Sequence, residues 1–300
     1  MLQPNPRIPY SMTTERPRLK PLNSKPLMVH VVLNVEYWPF EQAMPRAVIP
    51  PPHGAEIIPD VANYSWVEYG MRVGVPRILR MLSERNIRAS AFMNAYCLDI
   101  YPSCADAMLA ADWEFVGHCW VQRSLANAEN EIEVIDKTLA RLENFTGRKT
   151  RGWLGAGLGE TFDTPDYLCE RGIEWVADWY VDDLPCWMRT KHGPMLAMPY
   201  TVEHNDVPMW VVQSQSSDEF LKRAEAALDV ISPELADNPQ VFTLALHPHV
   251  VGVAHRAHYL GRVLDMLMAR DDTVFVTGSE IADWFIAADG SNGKVVMADD

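Results

Sequence analysis

A chain of 300 residues with 48% hydrophobic content has ample material for a buried core, as one α/β domain or two small ones. Its 26 basic and 40 acidic residues give a net charge of −14, which argues against nucleic acid or an anionic membrane surface as partner. No apolar stretch has the length needed to span a bilayer, and Met1 to Pro26 hold no apolar signal core.

Residues 1–25 carry five prolines and read as an extended N-terminal arm, either wrapped on a neighbouring subunit or loose. Apolar β-rich runs then alternate with helical patterns through one catalytic domain, 26–290, ahead of a disordered tail at 291–300. Met28–Val35 is a strand of nearly unbroken hydrophobicity, as in a buried parallel sheet. Pro45–Trp66, with Pro50, Pro51 and Pro52, reads as a long loop that walls or covers a pocket. Tyr69–Arg85 shows helical spacing (Val75, Ile78, Leu79, Leu82). Ala89–Asn94 is a strand, Pro102–Asp112 a helix and Glu114–Gly117 a short strand. Asn130–Phe145 is an amphipathic helix stopped by Gly147. Thr150–Trp153 is a strand, and Thr164–Arg171 a helix opened by Asp163 or Thr164. Trp175–Ala177, Leu196–Met198, Trp210–Val212, Val241–Leu246 and Thr273–Val276 are further strands. Helices at Asp218–Val230, His258–Arg270 and Ser279–Ile286 alternate with them. Strand–helix alternation with short connections means α/β, and seven or so strands suit a barrel. No nucleotide-binding glycine motif is present. Five cysteines without a CxxC pair point to reduced thiols and a cytoplasmic location.

Four apolar runs end in polar residues: Asn34 and Glu36, His118 with Gln122, Asp178 to Asp183, and His247 to His249. Strand ends of an α/β barrel converge on one face, so these segments can share a pocket. Asn34 and Glu36 project to one side of their strand, where a carboxylate needs a ligand, a partner or solvent. The structural alternative is an ion pair with Arg72 or Arg151. His118 and Gln122 have the spacing of a two-histidine metal site, degraded because an amide oxygen is a poor zinc ligand. His247 at a strand mouth suits a general acid. Pro248 ends the strand, which leaves His249 peripheral. Of Asp182 and Asp183, one is a candidate to orient a histidine or the substrate. His204-Asn205-Asp206 reads as a solvated hairpin.

The ordered set Val32 to Glu36, Glu68 to Gly74, Gly117-His118, Arg151 to Leu154, Tyr180 to Pro185, Pro199-Tyr200 and Leu246 to Pro248 resembles the polysaccharide deacetylase superfamily. It is most similar to the allantoinase-like, metal-independent cyclic-amide hydrolase branch. The resemblance runs from about Met28 to Phe285 and implies a distorted (β/α) barrel with seven or eight strands. In metal-dependent members the first motif supplies an aspartate base and an aspartate ligand, and the second supplies two histidine ligands. Here Asn34 stands at the base position, Glu36, His118 and Gln122 at the ligand positions, and His247 at the late-strand acid. These departures argue against zinc deacetylation.

The expected function is hydrolysis of a non-peptide C–N bond, most directly the opening of a small cyclic amide, imide or ureide. Glu36, His247 and His118 are the catalytic candidates, with Glu36 or His247 activating water. Asn34, His118 and the Trp153 indole are expected to bind the carbonyl, and Trp120, Arg151 and Asp183 complete the substrate-binding set. No cofactor is expected. The alternative is a metal-assisted N-deacetylase of an amino sugar or polysaccharide, with zinc or another divalent ion held weakly by Glu36, His118 and Gln122. Trp38, Trp120, Trp153 and Trp179 sit beside the motifs and are candidates to close a small pocket. The expected partner is a small-molecule substrate, with no nucleic acid or membrane, and assembly as a homodimer or homotetramer is expected.

Overall fold

Nine consecutive buried residues, Leu27–Val35, form the central strand β1, as expected of a strand covered on both faces. The computed structural model describes residues 4–47, 49–50 and 57–294. Residues 1–3 of the predicted arm, Pro51 and Pro52 of the predicted loop, and 295–300 of the predicted tail lie outside the described residues. The further strands are β2 (Ser90–Met93), β3 (Glu114–Gly117), β4 (Gly152–Trp153), β5 (Trp175–Val176), β6 (Cys186–Thr190), β7 (Gly193–Ala197), β8 (Gln240–Leu246) and β9 (Thr273–Val276). The helices are α1 (Val61–Tyr69), α2 (Val75–Ser83), α3 (Cys97–Ile100), α4 (Pro102–Ala110), α5 (Glu131–Thr146), α6 (Thr164–Glu170), α7 (Glu219–Glu234), α8 (Ala254–Met268) and α9 (Gly278–Asp289).

Among the described residues the sheet runs β6-β7-β5-β4-β3-β2-β1-β8, with β9 against the first half of β1. All pairings are parallel except the β6–β7 hairpin. The chain after β7 runs back beside β8: Thr243 donates to the Pro199 carbonyl and the Ala245 amide to that of His204. The sheet therefore curls into a distorted (β/α) barrel whose strands end on one rim. Period two sorts β1 between two cores. Leu27, Val29, Val31, Leu33 and Val35 pack in the helix-side cluster, and Met28 and Val32 in a second cluster with Phe92, Trp175 and Leu196. Asn34 and Glu36 continue the second series, so alternation carries both toward the barrel mouth.

The opposite end is plugged by α9. The half-buried Glu114 carboxylate accepts from the amides of Gly278 and Ser279, at 2.9 and 3.0 Å, and from the hydroxyls of Ser90 and Ser279. An anion at a helix N-terminus is favoured by the orphan amides there.

Several expectations change. Asp60 caps a helix at Val61, so the last third of the predicted loop Pro45–Trp66 is helical. Trp210–Val212 is not a strand but part of a π-helical turn, Val207–Val212; three apolar residues carry too little periodicity to decide. Strand β6 carries no strand signal in the sequence, because Trp187 and Met188 are followed by Arg189, Thr190, Lys191 and His192. The arm docks on its own chain: Arg7 forms a bidentate ion pair with Asp166, at 3.0 and 2.9 Å, while Ile8 and Leu19 are buried.

Helices α1 and α2 join through a π-helical turn, Gly70–Gly74. Its glycines let the helix touch the loop after β8. A Cβ on Gly70 would lie 2.5 Å from the His249 amide nitrogen, and one on Gly74 would lie 2.2 Å from the Pro248 carbonyl oxygen. Backbone cannot yield there as a flexible side chain can. Gly74→Ala is therefore expected to lower unfolding free energy by about 1–3 kcal/mol in urea melts, despite alanine's better helix propensity. A stabilised variant would show that this contact is loose.

Candidate active site

The rim holds a cavity of about 570 Å³, lined by side chains from loops after β1, β3, β4, β7 and β8. Asn34, Glu36, His118, Gln122, His247 and His249 all face it. Glu36 is its buried anion. Oε1 lies 3.4 Å from His247 Nε2 and 3.8 Å from His118 Nε2, and Oε2 accepts from the Trp38 indole at 2.8 Å. Burial pushes this carboxyl up, but the two imidazoles outweigh it and hold the group well below the usual carboxylate range. The predicted arginine partners lie elsewhere: Arg72 pairs with Glu68, and Arg151 with Glu174 and Asp283.

His247 is gripped from behind by Asp206. Nδ1 bonds one carboxylate oxygen at 2.6 Å, and the other oxygen accepts from the His247 and Val251 amides at 2.7 and 3.1 Å. Burial would lower the imidazole, yet Asp206 and then Glu36 raise it to about 10, so it is a cation at neutral pH. Asp206 fixes both the ring's orientation and the loop. His204, Asn205 and Asp206 are buried, which corrects the solvated hairpin expected there. The bridge from Asn205 to Ala245 draws this segment against β8. No local signal marks Asp206, since it meets His247 only across the closed barrel.

His118 directs Nδ1 to the Leu154 carbonyl at 2.8 Å. A carbonyl only accepts, so Nδ1 carries a proton and the ring is held with Nε2 toward Glu36. Nε2 is buried without a partner. The Asn34 amide nitrogen donates to the Leu246 carbonyl and to Tyr200, at 3.1 and 2.9 Å, which fixes its orientation and leaves buried Oδ1 unpartnered. His249 also lines the cavity, against Trp38 at 5.5 Å between ring centroids. Burial lowers it to about 3, so it is neutral. The strand does end before Pro248, but the turn returns His249 to the site instead of leaving it peripheral.

The remaining predicted residues lie apart from the cavity lining. Trp153 is fully buried against Gly117, and its indole nitrogen has no partner within the described residues. Trp120 stacks beside Tyr96 under the Lys137 ammonium. Arg151 is tied to its two carboxylates, and Asp183 takes part through its backbone, accepting from the Val241 amide. The adjacent Asp182 pairs with Arg16. Trp179 donates to Glu160, so of the four candidate tryptophans only Trp38 reaches the cavity.

The side chains present do not fit a resident zinc ion. Glu36 Oε1 and His118 Nε2 are two strong donors, but His247 is protonated toward them and the Gln122 amide oxygen accepts from Asn94 at 3.3 Å. Among the described residues no three histidine, cysteine, aspartate or glutamate side chains gather as a metal site.

No family model matches the chain. A peptidoglycan deacetylase of Helicobacter pylori is 20% identical over 283 residues, covering 78% of this chain and 90% of its own. The solved structure of a probable polysaccharide deacetylase from Pseudomonas aeruginosa PAO1 superimposes with a TM-score of 0.79 at 24% identity, covering 91% of this chain and 95% of that one. The PuuE allantoinase structure gives 0.80 at 25% identity, covering 91% and 94%. The fold is that of the polysaccharide deacetylase superfamily.

The raised His247 also sets a stability window. A group lifted above its unfolded value near 6.5 stabilises the fold fully below that pH, and the contribution is lost as pH rises through about 10. An NMR titration is expected to show His247 protonated through neutrality. Asp206→Asn is expected to bring its titration down by about 1–3 units. A neutral His247 at pH 7 in the unaltered protein would refute this picture of the site.

Proposed function

We propose that this chain opens a small cyclic amide, imide or ureide by adding water across a non-peptide C–N bond. The coarser class follows from the comparisons: it is a hydrolase of amide C–N bonds, like the deacetylases and the allantoinase it resembles. The observation that carries the finer reading is the charged His247, held between Asp206 and Glu36 in a cavity of small-molecule size.

Glu36 Oε1 and His118 Nε2 face each other across 3.8 Å, and a water held between them donates one hydrogen to the Glu36 carboxylate. As that oxygen bonds to the carbonyl carbon, Glu36 takes its proton. His247 then gives the Nε2 proton to the ring nitrogen as the C–N bond breaks, which makes the amine a leaving group. Glu36 returns its proton to His247 across 3.4 Å and resets the site. The His247 cation and a ring N–H of neutral His249 stabilise the oxyanion. Trp153 has no part in this scheme, and Asn34 offers an acceptor, not a donor, to the substrate.

The five free thiols agree with a reducing compartment, and we place the enzyme in the cytoplasm as a homodimer or homotetramer working without a metal. Among the described residues no helix is long and apolar enough to cross a membrane.

A panel of cyclic amides, assayed before and after chelation, tests the reading. Ring opening of a hydantoin, imide or lactam that survives chelation is expected, with no acetate released from chitin oligomers or acetylated peptidoglycan. Acetate release without ring opening would favour the N-deacetylase. His247→Ala is expected to lower turnover by roughly 10²–10⁴-fold. A loss of less than tenfold would remove His247 as the proton donor.

A further inference from the structure

The cavity is electrically polarised along its depth. Its floor carries Glu36 and Asp206 against a single cation, His247, a net charge of −1. Two further buried atoms of the floor, Asn34 Oδ1 and His118 Nε2, have no partner, and the first is an acceptor. An unpaired acceptor at such depth is costly unless a ligand supplies the donor. The mouth is opposite in sign. Arg46, on the segment after β1, and Arg123, after β3, both line the cavity and are exposed. Arg123 donates to the neutral Gln42 amide, and Arg46 lies near enough to His249 to disfavour a charge there. Among the described residues neither arginine has a carboxylate partner, in a chain with 40 acidic residues.

We infer that the substrate is a ring with an N–H edge, read by Asn34 at the floor, and a carboxylate substituent, read by Arg46 and Arg123 at the mouth. This rests on the ring-opening reading above and narrows its substrate class to carboxylated cyclic amides and ureides. The charge pattern orients such a molecule. The negative floor repels the carboxylate and the arginines hold it, which presents the scissile C–N bond to Glu36 and His247. Guanidinium groups suit this task because their planar donors match a carboxylate. An uncharged ring gains only the floor contacts.

Binding separates this inference from turnover. Titration calorimetry would compare 5-oxopyrrolidine-2-carboxylate, its uncharged carboxamide and its N-methyl derivative on the wild-type protein and on Arg46→Gln, Arg123→Gln and the double variant. The wild type is expected to bind the carboxylate at least about tenfold more tightly than the carboxamide, with about tenfold lost per arginine removed. N-methylation, which deletes the donor, is expected to weaken binding by about tenfold as well. Equal affinity for carboxylate and carboxamide would overturn the inference, and so would a preference that persists in the double variant. A preference abolished in the double variant, in a protein that opens no ring, would support the subsite and refute the ring-opening reading alone.

Discussion

One buried carboxylate organises the site. Glu36 stands at the end of the central strand with almost no solvent, where an ionised group is expensive unless it is paired. Two imidazoles and an indole surround it, and each arrives from a different part of the chain. Removing any one leaves a charge less well compensated, so the positions of β1, β3 and β8 and of the loop carrying Trp38 are coupled through a single side chain. Asp206 adds a second anion and makes His247 a lasting cation, so the pair Glu36–His247 already holds a base and an acid 3.4 Å apart.

Backbone contact supplies the precision. The loop Pro248–Gly252 is pressed against the π-helical turn, and a Cβ on Gly252 would lie 2.6 Å from the Gly74 Cα. Three glycines therefore bring a helix and a loop to a separation that no other residue permits. The loop's remaining freedom is taken by Asp206, which binds amides at both ends of the turn it caps. At the other end of the barrel Glu114 anchors α9 in the same manner. Each closure uses a carboxylate satisfied by backbone amides, a rigid arrangement that keeps the mouth open while the base is sealed.

Polarity then decides what the cavity can hold. Its floor gathers acceptors and its mouth carries guanidinium groups, so a ligand is read by where it places a donor and a charge. The apolar part of the lining, Leu154, Leu158, Val207 and Val211 among them, supplies area without direction. Other exposed arginines are paired with carboxylates, as Arg72 is with Glu68 and Arg148 with Asp112, and have no such role.

The sequence by itself determined the strands with strong hydrophobic runs, since burial on both faces leaves an unmistakable pattern in Met28–Val35 and Val241–Leu246. It also placed Asn34, Glu36, His118 and His247 at strand ends, because alternation and parallel topology force such residues onto one rim. Strand number pointed to a barrel and the resemblance to its distortion, but the resemblance also raised Trp153 and Arg151 to candidates, which packing and ion pairs hold elsewhere. What only the tertiary structure decided were relations between distant segments. Asp206 meets His247 through a curl of the sheet that leaves no local trace, and His249 re-enters the site by the sense of one turn. The unpartnered atoms of Asn34 and His118 became visible only once every neighbouring donor and acceptor had a position. Charge and hydrophobicity are properties of residues and can be read in order, whereas the pairing of a buried proton depends on which chain segments the closed barrel brings within three ångströms.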